Sequence, residues 1–69
     1  MKKYDKAISD YAEAIRLEPK QVRAYVNRGN AWHGMKVHDK AITDYTEALR
    51  LDPKQVRAYV SRGNAWGDL

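Results

Sequence analysis

The 69-residue sequence has no cysteine and no phenylalanine, and it carries only two prolines and four glycines. Without cysteine it can form neither a disulfide nor a thiolate metal site, so the usual staples of a small fold are missing. No apolar stretch approaches the ~20 residues of a membrane span, so no membrane association is expected. Met1-Lys2-Lys3 leads directly into charged sequence, without the apolar segment of a secretory leader. The default compartment is therefore cytoplasmic. Charges of one sign never run beyond two residues, and the net charge is +4, from 13 Lys and Arg against 9 Asp and Glu. Nucleic-acid modules concentrate their positive charge, so this balance points to acidic protein partners and away from DNA or RNA. The length allows one small domain. A chain of about 60 residues buries only roughly 60% of its unfolded surface and is marginal alone.

The chain does have a repeat. Residues 1–35 laid over residues 35–69 are identical at 25 of 35 positions. Pro19 to Val26 recurs unchanged as Pro53 to Val60, and Arg28 to Trp32 as Arg62 to Trp66. A fixed period of this size marks a solenoid, whose units bury their apolar faces by stacking. A binding or assembly surface is the expectation, rather than a catalytic pocket.

Apolar residues recur at helical spacing. Ala7, Ile8, Tyr11, Ala14 and Ile15 form one stripe, repeated by Ala41, Ile42, Tyr45, Ala48 and Leu49. Asp5, Asp10, Glu13, Asp39, Asp44 and Glu47 are expected on the opposite faces. A second helix type carries Tyr25, Gly29 and Trp32, then Tyr59, Gly63 and Trp66, with small residues that admit a close neighbour. Period-2 alternation is absent. The prediction is all-α, with four antiparallel helices at roughly 3–17, 20–35, 38–51 and 54–67. Asp52-Pro53-Lys54-Gln55 predicts a helix start, with Asp52 as N-cap, Pro53 first and Gln55 completing a capping box. Glu18 is a poorer cap than Asp52, so the first such junction is expected to be weaker. The turn at 35–37 is the least determined, because Lys36 and Val37 do not favour a positive φ.

These residues resemble a tetratricopeptide repeat, whose 34-residue helix–turn–helix unit has aromatic, small and proline positions at set spacings. Tyr25, Gly29-Asn30-Ala31-Trp32, Ala41, Tyr45, Ala48 and Pro53 carry the resemblance. It implies a full unit at 22–55 flanked by half units at 3–21 and 56–69, together a single domain. Lys36 stands where the family has a turn glycine. Arg28 and Arg62 stand where it has an aliphatic residue; each is expected to lay its methylenes on a tryptophan or a tyrosine, in a cation–π or snorkelling role beside the tryptophans, with its head in solvent.

The resemblance also implies a concave face for extended peptides. Arg23, Asn27, Asn30 and His33 share one helix face, and Arg57, Ser61 and Asn64 repeat most of it. Side-chain amides can hold a peptide backbone and arginine can hold a carboxylate, so a protein or acidic peptide partner is expected. The carboxylate clamp of some family members is only partly matched, because Val26 and Val60 replace its basic residue. The alternative is a polar scaffold face on a minimal unit, excised or designed, whose main property is self-assembly. Two modes are open, each giving a homo-oligomer. Ile8, Tyr11 and Ile15 at one end and Tyr59 and Trp66 at the other can stack end to end. Alternatively, the turn at Lys36 and Val37 straightens, residues 20–51 become one helix, and two chains swap halves.

Other chemistry has little support. Tyr11, Tyr25, Tyr45, Tyr59, Trp32 and Trp66 recur at core spacings, so packing accounts for them better than base stacking. His33, His38 and Asp39 are the one metal-like grouping, but the histidines are five apart and do not recur in the other unit. They are expected to be surface residues, with no metal or cofactor. No nucleophile–base pair, phosphate loop or paired carboxylate can be named, so no enzyme is expected.

Overall fold

The computed structural model describes residues 2–67. Four helices follow one another: α1 (Lys2–Leu17), α2 (Val22–Gly34), α3 (His38–Leu51) and α4 (Val56–Gly67). Each packs against the next, and α2 also meets α4. The chain is thus a zigzag of two layers, α1 and α3 behind α2 and α4, with Cα extents of 28 × 28 × 14 Å. Among the described residues, no helix is long and apolar enough to cross a membrane.

The core is built from small residues around one large one. Its buried apolar members are Ala24, Val26, Ala31, Ala41, Tyr45, Ala48, Leu49, Ala58 and Ala65. Six of these nine are alanine, so the helices approach closely but each buries little area. Among the described residues, Tyr45 is the only large side chain buried to within 2%. Two clusters result. Val26, Ala48, Leu49 and Ala58 form one, and Ala41, Tyr45 and Ala65 form the other, flanked by Trp32 and Ile42. All these residues lie on α2, α3 and α4. No described residue of α1 is fully buried.

The proline junctions differ from the expected capping boxes. Gln55 N–H donates to the Asp52 carbonyl at 3.2 Å, and Gln21 N–H donates to the Glu18 carbonyl at 3.1 Å. Pro19-Lys20 and Pro53-Lys54 therefore occupy the middle of β-turns, where proline at the second position is favoured. Asp52 terminates α3, and its Oδ1 accepts from Lys54 N–H at 3.2 Å. This Asx turn uses the carboxylate that would otherwise cap the next helix. So α2 and α4 begin two residues later than predicted, and α2 has no side-chain cap.

The reversal at 35–37 closes without glycine. Lys36 takes φ 64°, the left-handed conformation. Lys36 N–H donates to His33 O and Val37 N–H to Trp32 O, both at 2.9 Å. These are the paired bonds of a Schellman motif, which satisfies the last carbonyls of α2. The motif demands a positive φ at this position, and lysine meets it at a cost of about 1–2 kcal/mol relative to a right-handed residue.

Glycine is needed elsewhere for space. A Cβ on Gly29 would stand 2.6 Å from Tyr45 Cε1 and 2.9 Å from Cδ1. The ring is buried and cannot retreat.

Two outcomes follow from these contacts. Lys36→Gly should raise stability by about 1 kcal/mol, an increase of roughly 4–8 °C in the thermal midpoint of a domain this size. Gly29→Ala should lower it, because overpacking of about 1–3 kcal/mol exceeds the ~1 kcal/mol that alanine gains in a helix. Thermal melts followed by circular dichroism test both.

Candidate functional site

The face shared by α2 and α4 is an open groove of two adjoining depressions. One, of about 130 Å³, is lined by Arg23, Val26, Asn27, Gln55 and Arg57. The other, of about 350 Å³, is lined by Val26, Asn30, Val56, Arg57, Val60 and Ser61. Val26 and Arg57 belong to both. Five of the seven residues expected on a peptide face therefore meet here: Arg23, Asn27, Asn30, Arg57 and Ser61. They come from two helices 34 residues apart in phase, brought side by side by the intervening α3. Asn64 lies exposed beyond the groove. His33 lies elsewhere, in a depression with Gly34, Lys36 and His38.

The groove is basic at its rim and apolar along its floor. Arg23 and Arg57 are exposed. Neither makes an ion pair among the described residues, and no carboxylate lines either depression. Val26 is buried while Val56 and Val60 are exposed. Spacing alone marked Val26 and Val60 as places where a basic clamp residue was missing. Val60 is also expected on the apolar stripe of α4, but its place beside Val26 and Val56, with Gln55 adding an amide, follows from setting α4 beside α2.

Tyr45 reaches the groove from behind. Its hydroxyl donates to Asn30 Oδ1 at 2.6 Å, and the Ser61 side chain acts on the same phenol to lower its pKa. Asn30 is thus partly committed to holding α2 on α3. Burial pushes the Tyr45 phenol above its ordinary value of 10.0, and Ser61 opposes that rise.

Arg28 and Asp44 depart from expectation. Asp44 was assigned to a solvent face, but it is 4% exposed. Arg28 grips it with Nε to Oδ2 and Nη2 to Oδ1, each at 2.8 Å. The guanidinium does not project into water beside Trp32. It sits 5.7 Å from the centroid of the Tyr25 ring, and Arg62 sits at the same distance from Tyr59. The cation over Trp32 is Lys40, at 4.6 Å. A depression of about 420 Å³ beside Arg28 and Asp44 has its central charges already paired. The bidentate bond raises the Arg28 pKa, against a smaller opposing effect of burial.

The His33 and His38 rings meet edge to face, with centroids 4.9 Å apart. The Schellman turn folds His38 back onto the end of α2. No group of three or more His, Cys, Asp or Glu side chains able to hold a metal occurs among the described residues.

A two-layer zigzag of repeated helices with an open groove defines a helical-repeat scaffold for protein–protein interaction. A family model described as TPR repeat matches residues 1–36, and another described as Tetratricopeptide repeat matches residues 22–55. The chain belongs to the tetratricopeptide repeat family, a family of protein–protein interaction modules. Among solved structures, it is similar to the TPR domain of Arabidopsis OM64, with a TM-score of 0.93 and 36% sequence identity over 97% of this chain. It spans 55% of the length of that solved chain. No curated protein matches it.

The Tyr45 phenol generates a pH dependence. Its folded-state pKa is raised, so its stabilising contribution is complete below the unfolded value near 10 and is lost as pH rises through the folded one. Urea melts across the alkaline range should show wild-type stability falling more steeply than that of Tyr45→Phe. At neutral pH the variant should be less stable by about 1 kcal/mol, the loss of one hydrogen bond. Parallel alkaline slopes would show that the phenol is equally acidic folded and unfolded.

Proposed function

We propose that the groove between α2 and α4 binds an extended, acidic peptide. The supporting observation is the pair of exposed arginines, Arg23 and Arg57, which line one depression together with Val26. Neither has an ion-pair partner among the described residues. Arginine offers a planar fork that takes a carboxylate through two hydrogen bonds. Asn27 and Gln55 supply amides that can pair with a peptide backbone. Val26, Val56 and Val60 give aliphatic side chains a place to rest. The groove lacks an enclosed pocket, so affinity comes from several modest contacts along an extended ligand. Asn64 extends the polar surface beyond it.

A second reading is self-assembly. The observation favouring it is the apolar face of α4, where Tyr59, Val60 and Trp66 are 48%, 58% and 60% exposed. Ile8, Tyr11 and Ile15 on α1 are half-buried. End-to-end stacking would cover these residues. A swapped dimer would require the reversal at Lys36 and Val37 to open and lose its Schellman bonds.

Fluorescence anisotropy of a labelled acidic peptide, titrated at two salt concentrations, tests the first reading. Arg57→Ala and Arg23→Ala should each weaken binding by about tenfold, the loss of one charge-assisted contact. Affinity should fall as salt rises. Equal binding of a peptide with glutamine at every acidic position would defeat the proposal.

A further inference from the structure

We propose that α4 carries a socket for the α1 helix of a second copy of this chain, with Arg62, Gly63 and Asn64 receiving Asp10 and Tyr11. This deepens the self-assembly reading and rests on it. The chain contains its own template for the contact. Where α2 meets α3, Arg28 grips Asp44, the Tyr45 ring fills the space a Cβ on Gly29 would take, and Asn30 accepts from the Tyr45 hydroxyl. Arg62-Gly63-Asn64 on α4 repeats Arg28-Gly29-Asn30 one period of 34 later. Asp10-Tyr11 on α1 precedes Asp44-Tyr45 by the same period. Both halves of a second such contact are therefore present, at opposite ends of the zigzag.

Each half lacks what its counterpart has. A Cβ on Gly63 would meet nothing within 4 Å, whereas one on Gly29 strikes the Tyr45 ring. Arg62 already holds its guanidinium over Tyr59 at the distance Arg28 keeps from Tyr25. Its Nη1 donates to the Thr46 hydroxyl at 3.2 Å. On α1, Asp10 is exposed and makes no ion pair among the described residues, while its counterpart Asp44 is buried. Tyr11 is half-buried where Tyr45 is fully enclosed. The two surfaces are complementary in charge, Arg62 against Asp10, and in shape, an open glycine against a tyrosine ring.

The geometry is heterologous. Socket and knob are different surfaces, so each bound copy presents a fresh socket and association continues beyond a dimer. The contact would also cover Tyr59, Val60 and Trp66, as the corresponding residues Tyr25, Val26 and Trp32 are covered in α2.

Sedimentation velocity of the full chain over a concentration series tests the socket. Wild type should associate progressively, without stopping at a dimer. Gly63→Ala should keep or raise the thermal midpoint of the monomer, since alanine favours a helix, yet weaken association by about tenfold or more as the added methyl obstructs Tyr11. Arg62→Asp and Asp10→Arg should each abolish association alone, through like charges in the contact. An equimolar mixture of these two variants should associate again, because each restores charge complementarity to the other's defective surface. A monomer at every concentration overturns both the self-assembly reading and the socket. Association that is unchanged in Gly63→Ala and in both charge variants overturns the socket alone and assigns assembly to another surface, the swapped dimer included.

Discussion

The close approach of Tyr45 to Gly29 organises this molecule. Among the described residues, Tyr45 is the only large side chain fully enclosed, in a core otherwise made mostly of alanine. Its ring occupies the space where any other residue at Gly29 would project, which sets the separation of α2 and α3. Its hydroxyl continues through the layer to Asn30. One side chain therefore joins the apolar core to an amide that lines the groove. The position of Arg23, Asn27 and Asn30 relative to Arg57 and Ser61 depends on how α3 is seated between α2 and α4, and Tyr45 seats it.

The Arg28–Asp44 pair lies beside that ring and has a different role. A buried carboxylate with two guanidinium bonds is costly to desolvate, and such pairs add little net stability over apolar packing. They do penalise misalignment, because a shifted register would leave Asp44 buried without its partner. In a repeat protein whose units are nearly identical, that penalty is useful. α1 and α3 present similar stripes, and a buried charge pair discriminates between correct and slipped pairings more sharply than alanine contacts do.

The helices, their number and their apolar faces were legible in the sequence because period 3.6 and the 34-residue repeat agree with each other. Five of the seven residues expected on a peptide face also line one groove, since one helix face repeated at fixed phase must line up when the units stack. Three features were not legible. Asp52 and Gln55 have the letters of a capping box, yet Pro53-Lys54 forms a β-turn, and the two patterns differ only in where the first helical hydrogen bond falls. Lys36 gave no sign that it would accept a left-handed conformation, which follows from the closure of α2 onto α3. Asp44 has the same helical phase as the exposed Asp10, so periodicity alone placed both in solvent. Only the presence of Arg28 across from Asp44 distinguishes them.

That last comparison marks the boundary between the two sources of information. By itself, the sequence determined that the chain is all-helical, repeats every 34 residues, and carries the same Arg-Gly-Asn and Asp-Tyr elements twice. Local spacing and propensity suffice for that, because they act within a helix and a turn. Tertiary structure decided which copy of each element is satisfied. Asp44 and Tyr45 are enclosed because α2 stands before them, while Gly63 faces open space. Burial is a property of neighbours, and identical residues at equivalent positions acquire different energies when the number of helices around them differs.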